Sequence, residues 1–199
     1  KTYTNIANVS IDASSASAAV TLTGASGISN NITGSSYSDT IIAGTLADTL
    51  VGASGNDTFQ INSNYLNASD TISDTSGSDT LEITNAVATI TDAQLTNVTN
   101  VEILKLAAGS TVTLGTEANN GGNGFKTVNV SAGGTNIINN STINNLSVVG
   151  GAGTDTLNVS GGVSLNAANI TNVDLINITT GSSTITNQFA NSPTLTIAS

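Results

Sequence analysis

The 199-residue sequence predicts an all-β fold, a parallel β-solenoid of the β-roll or β-helix kind with degenerate nonapeptide repeats. Three observations support this class: a nine-residue repeat in the first half, a longer repeat of several short strands, and alternation of apolar and polar residues along the chain. A β-sandwich, which also has many short strands, is the alternative.

The nine-residue repeat is clearest in residues 34–60, which read GSSYSDTII, AGTLADTLV and GASGNDTFQ without a gap. Each unit places an aspartate, a threonine and a large apolar residue in that order, and the same order returns at residues 70–72, 79–81 and 155–157. Such a unit can form a tight turn followed by a short strand with one inward side chain, and stacked units bury these side chains in one column. We therefore expect these apolar residues to be buried: Ile41, Leu50, Phe59, Ile72, Leu81 and Leu157.

The chain divides into three segments on this pattern. Residues 1–33 are lead-in strands, residues 34–82 are the nonapeptide segment, and residues 83–199 continue the solenoid with longer strands. A second repeat becomes visible in the continuation, because GSDTLEITNAV and TNVEIL return later as GTDTLNVSGGV and TNVDLI. Residues 77–104 therefore resemble residues 153–176, which indicates a module of roughly 75 residues used twice. The irregular stretch 116–125 is predicted to be a long loop.

Composition excludes several classes of function. The chain has no cysteine and no histidine, which removes disulfides, thiolate or imidazole metal sites and the usual nucleophile–base pairs. It has no arginine, three lysines and a net charge of −10, which argues against binding nucleic acid. No run of 18 apolar residues occurs, so we expect no membrane insertion. With no tryptophan and only isolated lysines, we predict that the protein is not an enzyme.

The acidic residues are concentrated where the nine-residue repeat is found. Seven of the thirteen acids lie between Asp39 and Glu82. Clustered carboxylates repel one another unless a cation lies among them, and Ca²⁺ is the hard ion that takes carboxylate and backbone carbonyl oxygens. Two alternatives remain open: the aspartates are solvated turn residues, or they accept backbone N–H groups and keep the turn without an ion.

The units resemble the RTX (repeats-in-toxin) nonapeptide G-G-x-G-x-D-x-U-x, in which U is apolar. Residues 150–158 match it at every defined position, and residues 52–60 differ only by having Ala53 for the second glycine. Two other units carry Tyr37 and Leu46 where the family has its third glycine, so we expect fewer sites than in a full array.

The resemblance implies a β-roll in which consecutive nonapeptides fall on opposite edges, so that units 18 residues apart stack directly. Asp39 and Asp57 then share one edge, and Asp48 lies on the other. It also implies one or two calcium ions, with a site between the stacked turns of Asp39 and Asp57. The candidate metal ligands are Asp39, Asp48, Asp57, Asp70, Asp79 and Asp155, with the turn residues Gly52, Gly55, Gly150, Gly151 and Gly153.

The same resemblance extends to bacterial surface-layer proteins and large secreted adhesins. It implies a non-enzymatic structural protein at the bacterial cell surface, exported by type I secretion, stabilised by calcium and self-assembling into a surface layer or filament. One alternative is a repeat module of a large secreted RTX-type adhesin. Another is an ice-binding β-solenoid, suggested by the T-x-T pairs at residues 21–23, 111–113, 184–186 and 194–196.

The expected partner is a second copy of the chain. Residues 194–198 and 3–11 are strand-like, and Leu195 and Ile197 could pack against Ile6 and Val9 in a head-to-tail contact. A cell-surface glycan is the second candidate partner.

Overall fold

The structure is a computed structural model that describes residues 1–4, 10–179, 181 and 183–197. The strands of the first half are β1 (Thr2–Thr4), β2 (Ile11–Asp12), β3 (Thr21–Thr23), β4 (Asn31–Thr33), β5 (Thr40–Ile42), β6 (Thr49–Val51), β7 (Thr58–Ile61), β8 (Thr71–Ser73), β9 (Thr80–Ile83), β10 (Thr89–Ile90) and β11 (Val98–Thr99). Those of the second half are β12 (Ile103–Leu106), β13 (Thr111–Leu114), β14 (Thr127–Asn129), β15 (Asn136–Asn140), β16 (Ser147–Val149), β17 (Asp155–Val159), β18 (Ser164–Asn166), β19 (Ile170–Thr171), β20 (Leu175–Ile178), β21 (Thr184–Thr186) and β22 (Thr194–Ile197).

Helix is confined to single turns within the described residues. They are one α-helical turn, α1 (Thr116–Asn119), and short 3₁₀ segments at Asp92–Leu95, Asn120–Gly122 and Ala167–Asn169. The predicted loop at 116–125 thus begins with a helical turn. Asp92 holds that turn in place, because its carboxylate accepts the N–H groups of Gly115, Glu117 and Ala118.

The strands form four parallel sheets, which confirms the solenoid. Sheet 1 has the order β1-β3-β5-β7-β9-β12-β14-β16-β19, and sheet 2 has the order β11-β8-β6-β4-β2. Sheet 3 has the order β10-β13-β15-β17-β20-β22, and sheet 4 pairs β18 with β21. Pairing between strands two or three apart in sequence is what a coiling chain produces, whereas a β-sandwich is antiparallel.

The coil changes shape along the chain. From β3 to β8 the strands alternate between sheets 1 and 2, two per coil, and Thr40 lies opposite Thr58, 18 residues further on. The next step, from Thr58 to Thr80, is 22 residues because the turn after β7 is longer. After β9 the chain enters sheet 3 before it returns to sheet 1, so a two-sided coil becomes three-sided. This is where the sequence changes to longer strands.

The apolar column predicted from the repeat is present. The six apolar residues that follow the Asp-Thr pairs have no exposed surface: Ile41, Leu50, Phe59, Ile72, Leu81 and Leu157. The threonine before each apolar residue faces outward, as period-2 alternation requires. The prediction of a packed interior made of stacked units is confirmed.

The longer repeat occupies two different faces. Its first copy forms β9 and β12, which are neighbours in sheet 1, and its second copy forms β17 and β20, which are neighbours in sheet 3. The acids of the two copies have the same role, because the Asp79 N–H donates to Glu102 and the Asp155 N–H donates to Asp174.

The T-x-T pairs are dispersed over the solenoid. The pair at 21–23 lies in sheet 1 and the pair at 184–186 in sheet 4, while the pairs at 111–113 and 194–196 lie in sheet 3, separated by β15, β17 and β20. Among the described residues these four pairs make no continuous file. No helix in the same part of the chain is both long and apolar enough to cross a bilayer.

Candidate metal centre

The aspartates of the repeat lie at the ends of turns, each one residue before or at the start of a strand. All are buried despite their charge: Asp39, Asp48, Asp57, Asp70, Asp79 and Asp155. The threonine after each aspartate faces outward, and the apolar residue after it points into the core. Burying a carboxylate is costly unless its oxygens accept hydrogen bonds or bind a cation. The partners of each oxygen therefore decide where an ion could bind.

The first oxygen of each carboxylate holds the preceding coil. Asp57 Oδ1 accepts the N–H of Asp39 at 2.6 Å, and Asp79 Oδ1 accepts the N–H of Asp57 at 2.7 Å. On the other edge, Asp70 Oδ1 accepts the N–H of Asp48 at 2.8 Å. The aspartates thus form ladders that join coil to coil, with Glu102 accepting the N–H of Asp79 at the next step.

The second oxygen closes the turn to which the aspartate belongs. Oδ2 of Asp39 accepts the N–H of Ser35 at 2.5 Å, and Oδ2 of Asp48 accepts that of Gly44 at 2.7 Å. Asp70 and Asp155 do the same with the N–H groups of Asn67 and Gly151. Both oxygens of these four aspartates are therefore engaged with donors of the protein.

Asp57 departs from this arrangement. Ala53, four residues earlier, has a φ of 88°, and Asp57 Oδ2 is buried without a hydrogen-bond partner. A second such atom is Oδ2 of Asp74, in the turn stacked on the Asp57 turn. The turns are joined by hydrogen bonds from the N–H of Gly55 to Ser76 and from that of Ser78 to Asn56.

Three carboxylates converge at this point. Asp57, Asp74 and Asp79 each offer an oxygen, and the three oxygens lie within 4.8 Å of one another. Gly52 forms the adjoining wall: a Cβ there would lie 2.0 Å from Asp74 Oδ2 and 2.4 Å from Asp57 Oδ2. Glycine is therefore required at this position for both oxygens to keep their places.

The electrostatics of the cluster disfavour three free negative charges. Burial, with the charge of Asp74 adding to it, raises the pKa of Asp57 to about 7. Burial, together with the charges of Asp74 and Glu102, raises the pKa of Asp79 to about 6. On the other edge, burial raises the pKa of Asp70 as well. Either a proton or a cation would relieve the cluster, and hard oxygen donors suit Ca²⁺.

The ligands predicted from the sequence fall into two groups: some belong to the three-carboxylate cluster, and the others already accept hydrogen bonds from the protein. Asp57 and Asp79 belong to the cluster, with Gly52 and Gly55 in the turn that carries Asp57. Asp39 lies one coil before Asp57, and its oxygens accept N–H groups. In the later unit of Gly150, Gly151 and Gly153, Asp155 accepts the Asn136 amide at 2.7 Å and the Gly151 N–H at 2.8 Å.

Asp74 is the residue of the cluster that sequence reasoning missed. It begins the unit DTSGSDTLE at residues 74–82, in which Ser76, Gly77, Asp79 and Thr80 align with Ser54, Gly55, Asp57 and Thr58 of GASGNDTFQ. This alignment, at a spacing of 22 instead of 18, was the available signal.

Comparison with known families agrees with the turn geometry. Residues 24–59 match the family model of the RTX calcium-binding nonapeptide repeat, in four copies. Searches of curated proteins and of solved structures each returned no significant match. The matched stretch contains Asp57 and ends before Asp74 and Asp79, so the three carboxylates straddle its boundary. Residues 24–59 are thus a block of RTX nonapeptide repeats within a longer parallel β-solenoid.

Proposed function

We propose that the protein is a calcium-stabilised structural repeat protein whose ion lies between the turn that carries Asp57 and the turn that carries Asp79. The observation that carries this proposal is the buried, unpartnered Oδ2 of Asp57, in a block of RTX repeats. The turns of Asp39, Asp48 and Asp155 give their second oxygens to backbone N–H groups, whereas the Asp57 turn leaves an oxygen open.

The chain supplies the remaining requirements for a hard cation. Asp79 contributes a second carboxylate, and Gly52 leaves room for the oxygens to approach one another. A bound ion would supply the positive charge that these buried carboxylates lack. Because the other described turn aspartates are satisfied by the protein, we expect one calcium ion per chain.

The test is binding of calcium to the chelator-treated protein by isothermal titration calorimetry, together with thermal melting. We expect one equivalent to bind, and the melting temperature to rise when millimolar calcium is returned. Asp155→Asn is the control and should still bind one equivalent of calcium. Asp155 lies in the unit that matches the RTX pattern fully, but both of its oxygens already accept hydrogen bonds from the protein. Absence of binding together with an unchanged melting temperature would overturn the proposal.

The location that fits this repeat is outside the cell. RTX repeats are typical of secreted bacterial proteins, and we propose that the parallel solenoid around them serves as a structural scaffold. Type I secretion and a surface-layer or filament role belong to the same proposal. Fusing the chain to a reporter and measuring its release with and without a type I exporter tests the route.

We also propose that the protein self-assembles, with a second copy of the chain as the partner. Leu195 and Ile197 lie in register with Ile176 and Ile178 of the core, yet they are 44% and 67% exposed. A strand of another copy laid on β22 would cover them and pair with the edge of β22 that has no further strand among the described residues. The proposed counterparts Ile6 and Val9 lie outside the described residues.

Light scattering and electron microscopy of the calcium-loaded chain test assembly. We expect filaments or sheets, because a head-to-tail contact does not close on itself unless its rotation does so. The double variant Leu195→Lys and Ile197→Lys should abolish them. Thr194→Lys with Thr196→Lys adds the same charge to the outward face of β22 and should have a smaller effect. If the unaltered chain remains monomeric at high concentration, the scaffold role is refuted.

One observation favours the adhesin alternative. A groove of about 350 Å³ on sheet 3 is lined by uncharged polar side chains: Thr113, Asn139, Asn140, Ser141, Asn158, Ser160 and Thr179. Amide ladders cross it, since Asn158 donates to Asn139 at 2.8 Å and Asn177 donates to Asn158 at 2.9 Å. Such a surface fits the hydroxyl groups of a neutral glycan. Binding to a glycan array that is lost in Asn158→Ala, but retained in Thr58→Ala on sheet 1, would support this role, and absence of binding would exclude it.

A further inference from the structure

We propose that Asp74 is a direct ligand of the calcium ion and sets the affinity of the site, although the nonapeptide pattern has no carboxylate at its position. This inference rests on the proposed function and concerns the same ion. Asp74 is the first residue of its nine-residue unit. The first residues of the other units are small and uncharged: Gly34, Ala43, Gly52 and Gly150.

The backbone of Asp74 is fixed by the following coil. It comes directly after β8, its N–H donates to the carbonyl of Thr99 at 3.3 Å, and its carbonyl accepts the Asn100 amide at 3.0 Å. The backbone of Asp74 is therefore held between its own turn and the next one, and it cannot move far without breaking these contacts.

The side chain is oriented by its own turn. Asp74 Oδ1 accepts the N–H groups of Thr75 and Ser76, the latter at 2.9 Å. These two bonds fix the carboxylate plane and leave Oδ2 directed towards Asp57 and the Gly52 wall. The residue is only 4% exposed, so water does not solvate that oxygen freely. A fixed, buried and unpartnered oxygen next to a second one is the arrangement that a cation would complete.

A shared proton is the competing way to satisfy the two oxygens. The carboxyl groups of Asp57 and Asp74 lie close enough for a hydrogen bond between them when one is protonated. Such a bond needs only Asp57 and Asp74, whereas the oxygen of Asp79 also lies within 4.8 Å of both. The convergence of a third carboxylate favours a cation, because one proton cannot serve three groups.

The negative charge of the site should make it prefer trivalent to divalent cations. Three carboxylates carry more negative charge than Ca²⁺ neutralises, so a trivalent ion that accepts the same oxygen ligands should bind more tightly than Ca²⁺. Terbium(III) is a suitable probe, since its luminescence reports binding directly. Removing the charge of Asp74 should weaken terbium more than calcium, because the Coulomb attraction scales with the charge of the ion.

The test compares two variants at Asp74 with the unaltered chain, by calorimetry with calcium and by terbium luminescence. Asp74→Asn keeps the acceptor for Thr75 and Ser76 but removes the charge, and Asp74→Gly restores the residue type of the nonapeptide. We expect calcium affinity to fall by about tenfold or more in both, since affinity follows the number of charged ligands. Asp12→Asn removes an exposed acid and should leave affinity unchanged.

Each outcome is decisive. If the unaltered chain binds calcium and both Asp74 variants bind it equally well, the inference is overturned while the proposed function stands. If the unaltered chain binds none, the proposed function itself fails. Thermal melting in chelator shows whether the variant folds normally without calcium. Asp74→Asn should melt no lower than the unaltered chain, because its amide can donate to Asp57 Oδ2. A lower melting temperature would assign Asp74 a purely structural role and refute the inference.

Discussion

Replacing Asp57 and Asp39 by asparagine should change stability in opposite directions. The two residues occupy the same place in successive coils, and both are almost fully buried. They differ in the second oxygen, which accepts the Ser35 N–H in Asp39 and has no partner in Asp57. The substitution keeps size and shape, so the difference isolates the role of that oxygen.

Asp39→Asn should destabilise the fold whichever way the new amide is oriented, because both oxygens of Asp39 accept backbone N–H groups. In the unaltered chain the N–H groups of Ser35 and Val20 donate to the Asp39 carboxylate. In the variant, the N–H₂ group must face one of these two donors. Leaving such a buried donor unsatisfied costs about 1–3 kcal/mol. For a chain of 199 residues, each kcal/mol corresponds to a shift of about 2–4 °C in melting temperature. We therefore expect a decrease of several degrees, with or without calcium.

In Asp57→Asn the amide should relieve the cluster when calcium is absent. Oδ1 can still accept the Asp39 N–H, while the new N–H₂ group can donate to Asp74 Oδ2. We expect melting in chelator to rise by a few degrees, and the response to calcium to disappear. In the unaltered chain, calcium at a hundredfold excess over its dissociation constant should contribute about 2.7 kcal/mol.

The assay is differential scanning calorimetry of the three proteins, each in chelator and in calcium, with circular dichroism to verify the fold. The decisive comparison is in chelator. If Asp57→Asn loses as much stability as Asp39→Asn there, the Asp57 carboxylate has a protein partner and the reasoning about its open oxygen is refuted.

Three further predictions follow from the contacts. In chelator, stability should fall between about pH 4 and pH 7 and level off above that, because Asp57 and Asp79 have pKa values of about 7 and 6 in the fold, against 3.8 for the ordinary group, so the folded state holds their protons over this range while the unfolded chain has lost them. Calcium should remove this decline, so its effect on the melting temperature should be larger at pH 8 than at pH 5, and equal effects would contradict the assignment. Phe59→Ala should lower the free energy of unfolding by about 3–5 kcal/mol in denaturant titrations, since its side chain is fully buried, and a loss below 1 kcal/mol would contradict the packed column. Asp92→Ala should cost about 1–2 kcal/mol and speed proteolysis near residues 116–125, because it removes the acceptor for three N–H groups at the start of α1, and unchanged cleavage would show that another contact holds this turn.

The repeat spacing predicts the first half of the fold because parallel stacking places like residues in register. Thr40 lies opposite Thr58, and Ile41 lies opposite Phe59, as the 18-residue spacing requires. The same spacing assigns Asp48 to the opposite edge, and the structure places β6 in sheet 2. Local chemistry is sufficient here, because each coil repeats the turn and the inward apolar residue of the coil before it.

The third face of the solenoid was not predictable in the same way. Two-sided and three-sided coils show the same alternation of inward and outward residues, and only the number of bends per coil differs. The copies of the longer repeat demonstrate this: GSDTLEITNAV and GTDTLNVSGGV are alike in sequence, but they form β9 in sheet 1 and β17 in sheet 3. The face on which a strand falls depends on the lengths of the turns that precede it.

Agreement with the nonapeptide pattern is a poor guide to which turn is open to an ion. The unit at 150–158 matches the pattern fully, yet its Gly151 N–H closes the turn on Asp155. The unit at 52–60 has an alanine for a glycine, and it is this residue, Ala53, that adopts a φ of 88°. Such a conformation is unfavourable for an L-residue by about 1–2 kcal/mol and persists only where the surrounding structure compensates. The stacked turn supplies one compensation, since Thr75 donates to the Ala53 carbonyl. The strained residue and the two unpartnered carboxylate oxygens occur in the same pair of turns, and a cation there would give both oxygens a partner, which is why the imperfect unit is the better candidate for the ion.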